Sequence, residues 1–186
     1  GADLVMVSGD RGLYRRQGLT PVPPLAHFRL CATTEAGKPL ETRLANVADL
    51  KSLAALYDGD DVHFVRSAED WGLQWTAGRL LDAPARFWVV ARAGRDVAYV
   101  VVQHPGPGPD GAARPRRILE VAGDRQAVVQ VAPAVADELL VPSYDSLTAQ
   151  LCEDRGWPRN TRDFLLTAEA LTPEVPVIPW YGLNYV

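Results

Sequence analysis

The chain has 186 residues, 47% of them hydrophobic and 23% charged, with a net charge of −4. That length supports one good core or one and a half small ones. The acidic balance argues against a nucleic-acid partner, since phosphates favour basic faces. No run of about 18 apolar residues predicts a membrane helix, no secretory leader is visible, and two cysteines, Cys31 and Cys152, are too few for a disulfide scaffold. A cytoplasmic setting is the expectation. Of the 19 basic residues only Lys38 and Lys51 are lysine, a bias of composition; Arg114, Arg116 and Arg117 come nearest to a cluster.

In chain order, Leu4–Val7 is a short apolar run that predicts a buried strand. Asp10 is placed to cap a helix over 11–17 that stops at Gly18. The segment "PVPP" (21–24) predicts a stiff connector, and "LAHFRLCA" (25–32) alternates as a strand does. The polar stretch 33–41 predicts a turn and a boundary. A helix over 46–57 carries an apolar stripe of Val47, Leu50, Leu53, Ala54 and Tyr57. A second helix, 67–78, opens on a capping box formed by Ser67 and Asp70. Residues 86–92 and 96–103 predict a hairpin, and 105–115 a Gly/Pro loop. A third strand is expected over 117–123. Asp124 then caps a helix over 124–139, in which Pro133 is expected to kink the helix or end its first part. A strand over 139–145, a helix over 145–156 closed by Gly156, and a long strand over 161–171 complete the pattern. The tail 173–186 is rich in proline and aromatics.

Two segments echo each other. "DLVMVSGDRGLYRRQGLTPVPPLAHFRLCA" and "ELLVPSYDSLTAQLCEDRGWPRNTRDFLLTAEA" each read strand, helix, glycine, connector, strand. "GLYRRQGL" lies over "QLCEDRGW" with glycine in the same place. The order of elements and the "GLYRRQGL" stretch resemble the GCN5-related N-acetyltransferase superfamily. The resemblance implies an α+β fold, the acyl-CoA N-acyltransferase fold, with a central mixed, mostly antiparallel sheet flanked by helices. It also implies a tandem protein. Residues 1–32 would be the C-terminal portion of a first domain, 33–172 a second, degenerate domain and 173–186 a tail, with the first domain's remainder lying before Gly1. Acyltransferases of the enhanced-intracellular-survival type have a comparable pair of domains.

The resemblance further implies transfer of an acetyl group from acetyl-CoA to a small-molecule amine or peptide acceptor. Tyr14 matches the family tyrosine that can protonate the departing thiolate, as a phenol can; Cys152 stands in its place in the second copy. Ser8, Gly9 and Arg125 are the candidate cofactor contacts. Glu120, on a strand where some relatives place a general base, is a weaker catalytic candidate, set against a simple pairing with Arg117 or Arg92. The phosphate-cradling glycines of the family are reduced in "LEVAGDRQAVVQ" to Gly123, and Asp124 sets a negative charge at the helix start. The second copy is therefore expected to bind acetyl-CoA poorly and to be structural, a lid or a dimerisation domain, and this chain alone to be inactive. His63 precedes the second helix. His27 and His104 show no metal-ligand spacing, no metal is expected, and a homo-oligomer is open.

Overall fold

The computed structural model describes residues 4–8, 12–32, 39–80, 83–162 and 166–170. The elements are β1 (Leu4–Ser8), α1 (Gly12–Arg16), β2 (Thr20–Pro21), β3 (Leu25–Arg29), β4 (Glu41–Leu44), a 3₁₀ turn (Val47–Asp49), α2 (Leu50–Asp58), α3 (Ala68–Ala77), β5 (Arg79–Leu80), β6 (Ala83–Arg92), β7 (Arg95–Gln103), β8 (Arg117–Gly123), α4 (Arg125–Val135), β9 (Glu138–Val141), α5 (Ser146–Asp154), β10 (Arg159–Arg162) and β11 (Leu166–Ala170).

The large sheet runs β10-β3-β9-β8-β7-β6-β4, with β5 paired to β6 alone. Every pairing is antiparallel except β8 with β9. Its centre is the β6–β7 hairpin. Arg92 faces Arg95 across a two-residue turn, and both turn residues have positive φ, +52° at Ala93 and +75° at Gly94. Such a turn matches the right-handed twist of the flanking strands. One face of the sheet packs Val100, Val102 and Ile118 against Val128, Ala132 and Cys152 of α4 and α5. The other packs Val89, Tyr99 and Leu119 against Leu53, Tyr57 and Trp71 of α2 and α3. The fold is thus α+β, a mixed and mostly antiparallel sheet with helices on both faces, as the order of elements implies.

Three expectations about elements are corrected. The long strand expected over 161–171 is two strands, β10 and β11, one in each sheet. Residues 33–41 do not form one turn up to Glu41, because Glu41 opens β4 along β6; all four β4 side chains are exposed, so no alternation marks the strand, and residues 33–38 lie outside the described residues. Pro133 does not end the helix: α4 runs on to Val135. It stands in the last turn, where its missing N–H removes one bond only.

The two segments end their helices in the same way. The Leu19 N–H donates to the Tyr14 carbonyl at 3.1 Å, and the Trp157 N–H to the Cys152 carbonyl at 3.2 Å. The glycines between, Gly18 and Gly156, have φ of +93° and +66°. Each helix therefore ends in the same six-to-one closure over a left-handed glycine. The strands that follow trade places. β3 leaves the N-terminal segment and lies between β9 and β10, while β11 lies between β1 and β2 in a separate three-stranded sheet. The sheets do not divide where the sequence does, at residue 32.

Candidate functional site

β8 and β9 run parallel but are paired only at Arg117–Glu138 and Ile118–Leu139. Beyond Ile118 they part, and the opening is the natural place for a site: the ends of two splayed strands expose backbone and side chains that no ladder consumes. Arg117 pins the closed end, donating from Nε to Glu138 Oε2 at 2.6 Å. A small cavity of about 30 Å³ occupies the open end, bordered by Tyr57, Leu119, Glu120, Arg125, Leu140 and Tyr144.

Glu120 reaches this position through a bulge. The β7–β8 register shifts between Val101 and Val102, so that Val101 faces Glu120 and Val102 faces Ile118. Leu119 is the extra residue, and Leu119 and Ala122 face the α2–α3 side together. There Glu120 is 6% exposed. Arg66 donates from Nη1 to Oε1 at 2.9 Å and from Nη2 to Oε2 at 2.7 Å, and the Tyr99 hydroxyl donates to Oε1 at 2.8 Å. Arg117 and Arg92, the partners expected for it, pair instead with Glu138 and Asp124. The Arg66 guanidinium lies 3.9 Å from the Tyr57 ring centre and 5.0 Å from that of Trp71. Burial works against its charge, but the bonds and field of Glu120 outweigh this and hold it protonated. Burial and the neighbouring Glu120 charge raise the Tyr57 and Tyr99 hydroxyls, so both stay neutral; Tyr99 donates to Glu120, and Tyr57 accepts from the Phe64 N–H.

Arg125 closes the mouth. Its Nε donates to Asp145 Oδ2 and its Nη2 to Asp60 Oδ2, both at 2.8 Å, and its Nη1 to the Gly123 carbonyl at 3.0 Å. Asp60 is just beyond the end of α2 and Asp145 caps α5, so one guanidinium ties three elements together. Burial opposes its charge, and Asp60 and Asp145 more than restore it. The α4 N-terminus is already occupied: Asp124 accepts from the Ala127 N–H at 3.0 Å and from Arg92 at 2.9 Å. The α5 N-terminus is likewise filled, with Asp145 accepting from the Thr148 N–H at 3.0 Å.

The other candidates lie elsewhere. Ser8 ends β1 opposite Leu166, Gly9 lies outside the described residues, and Tyr14 is half-buried on α1. Glu120 and Arg125 therefore share one cavity, and Ser8 and Tyr14 belong to the segment of the three-stranded sheet. Cys152 is fully buried, its thiol pushed up to about 12 by burial. His63 sits in the α2–α3 loop, its Nδ1 2.5 Å from the Asp60 carbonyl. Among the described residues no helix is long and apolar enough to cross a membrane, and no group of three or more His, Cys, Asp and Glu is placed to hold a metal ion. Sequence reading missed Arg66, Tyr57, Tyr99, Asp60 and Asp145 as parts of this site. Arg66 and Glu120 are 54 residues apart, and no local spacing links them.

No protein-family model matches the chain, and no curated protein sequence does. Solved structures do match in fold. A GCN5-related N-acetyltransferase from Anabaena variabilis superposes with a TM-score of 0.60 at 13% identity over 91% of this chain and 46% of that one. A second, from Kribbella flavida, gives 0.54 at 12% identity over 92% and 44%. Eis1 from Mycobacterium abscessus gives 0.53 at 17% identity over 91% and 47%. The fold is that of the GCN5-related N-acetyltransferases, and the chain spans about half the length of these neighbours.

That fold implies acetyl-CoA, and the β8–β9 opening does not fit it. A cavity of about 30 Å³ is far below the roughly 300–1,000 Å³ of a ligand pocket. At the two helix starts Asp124 and Asp145 already take the Ala127 and Thr148 amides and set a negative charge where a pyrophosphate would lie. Around the mouth, the carboxylates Asp60, Asp124, Asp145 and Glu120 outnumber the guanidiniums Arg66, Arg92 and Arg125, and each guanidinium is already paired.

Proposed function

We propose that this chain is part of an N-acetyltransferase that moves an acetyl group from acetyl-CoA to an amine, and that the cleft between β8 and β9 is its non-catalytic half. The sealing of that cleft by Arg125, Asp60 and Asp145 carries this reading. The acyl transfer belongs with the unit that contains β1, α1, β2 and the exchanged β11. The echo of the two helices sets Tyr14 where the sealed copy has the buried Cys152. A half-buried phenol can hand a proton to a departing thiolate; a thiol packed in a core cannot reach one. Acetyl-CoA would supply the activated thioester; the amine nitrogen would replace sulfur on the acyl carbon, losing its proton to solvent while the departing thiolate takes one from the Tyr14 phenol. The residues that would hold it are Tyr14 and the Ser8–Gly9 segment, with the acceptor a small amine or the amine of a peptide.

The test is Tyr14→Phe in the full-length protein that carries this chain, after an amine screen with thiol detection. Loss of the hydroxyl is expected to lower turnover by about 10²–10⁴-fold, the usual weight of a general acid. A variant that keeps more than roughly a third of wild-type turnover with chemistry rate-limiting removes Tyr14 from the mechanism.

A further inference from the structure

The Arg66 guanidinium is held as a bound ligand is held. A carboxylate grips it at two points, and two aromatic rings border it, Tyr57 at 3.9 Å and Trp71 at 5.0 Å. Tyr99 steadies the carboxylate from the far side. This combination of a desolvated carboxylate with aromatic faces is the chemistry that recognises guanidinium and ammonium groups. The way the cation is delivered sets it apart from an ordinary core ion pair. The Arg66 side chain is 1% exposed, yet Val65 beside it is 95% exposed and Ser67 is at the surface. Residues 61–66 contain neither helix nor strand, and only Arg66 among them is buried. Asp60 anchors the start of the loop on Arg125, His63 Nδ1 lies 2.5 Å from the Asp60 carbonyl, and the Phe64 N–H donates to the Tyr57 hydroxyl at 3.2 Å. Glu120 also borders the cavity between β8 and β9, so the residue that grips the loop's arginine is one that lines an open space. Stability alone does not call for the pair, because a buried ion pair is often no better than apolar residues of the same volume.

We propose that Tyr57, Trp71, Tyr99 and Glu120 form a recognition site for a guanidinium or alkylammonium group, with Arg66 as its internal ligand. An incoming cation, such as an arginine side chain of a peptide or an alkylamine, replaces Arg66 at Glu120 and releases residues 61–66, while Asp60 stays on Arg125. The exchange is one cation for another, so Glu120 is never left buried without a partner, which is the costly alternative. Neutral molecules of the same shape gain nothing from Glu120 and do not displace Arg66.

The probe is n-propylguanidinium, which reproduces the Arg66 side chain from Cβ outward, one carbon more than Arg66→Ala removes; n-propylurea is its neutral counterpart. Calorimetry on the Arg66→Ala chain is expected to show saturable binding of n-propylguanidinium in the millimolar range. Binding weakens by about tenfold or more, some 1.4 kcal/mol, when Glu120→Gln is added, and n-propylurea does not bind. The wild-type chain supplies a reading that does not depend on the variant's folding. Saturating n-propylguanidinium is expected to speed hydrogen exchange at the Phe64 amide about threefold or more, since exchange follows local opening, and n-propylurea leaves it unchanged. Absence of saturable binding to a folded Arg66→Ala chain overturns the proposal. So does equal binding of the urea, or a Phe64 amide in the wild-type chain that does not respond.

Discussion

At the scale of single residues the protein shows how burial decides what a side chain can do. Cys31 is exposed and Cys152 is buried among α4, α5 and the sheet. With its thiol pushed up to about 12, Cys152 is a packing residue, and a thiol that ionises so late is a poor nucleophile. Labelling of the native chain with a thiol-specific reagent at about pH 8 is expected to modify Cys31 alone, and both cysteines only after denaturation; mass spectrometry of the labelled peptides checks this. Fast native labelling of Cys152 would show that the core around α5 opens. Gly123 is another residue whose role is geometric. Its φ is +87°, and a Cβ there would stand 2.4 Å from the Val97 carbonyl oxygen, so glycine at this position serves the β8–α4 turn with or without a phosphate to bind.

At the scale of elements, the start of α4 shows why one sequence motif can lose a function and keep a structure. A phosphate-binding helix leaves its first amides free; α4 spends the Ala127 amide on Asp124. Burial by itself would raise the Asp124 carboxyl. The Ala127 amide and the Arg92 guanidinium prevail and hold it below its ordinary 3.8. A lowered carboxyl contributes stability that is fully present above the unfolded value and is lost as pH falls through the folded one. Asp124→Ala is therefore expected to cost about 1 kcal/mol at neutral pH, within the usual 0.5–2 for a cap. The gap between wild type and variant should narrow as pH drops below 3.8. Urea unfolding at a series of pH values measures both; a gap that is constant down to the acid limit would mean that the carboxylate's charge does not matter to the cap.

The whole molecule is held by an exchange. β3, from the first 32 residues, has Phe28 fully buried and pairs along both its edges, with β9 and with β10. β11, from the far end, pairs with β1 and β2. Cutting at the sequence boundary removes an interior strand of the large sheet and leaves the β9 and β10 edges bare, a state prone to association. A fragment of residues 33–186 is accordingly expected to lack a cooperative thermal transition or to aggregate, whereas the 186-residue chain unfolds in one step. Circular dichroism melts and size-exclusion chromatography decide between them. A stable, monomeric 33–186 fragment would show that β3 is dispensable.

Much of this was legible in the residues themselves. The apolar runs 86–92 and 96–103 joined by Ala-Gly-Arg, the Ser67 and Asp124 caps, and Gly18 and Gly156 past their helices are local signals, because strand runs, capping and left-handed turns depend on neighbours within a few positions. The order of elements therefore points to the fold by itself. The poverty of "AGDRQA" as a phosphate cradle could be read in the same way, since it concerns which amides one turn leaves free. Only the tertiary structure decided what fills the cleft. Arg66 meets Glu120 and Asp60 meets Arg125 across 54 and 65 residues, and no spacing rule reaches that far. The same holds for the strands: a run such as 159–170 carries its hydrophobic pattern but not its partner, and the choice to send β10 to one sheet and β11 to another is made by which edges the folded sheets leave open.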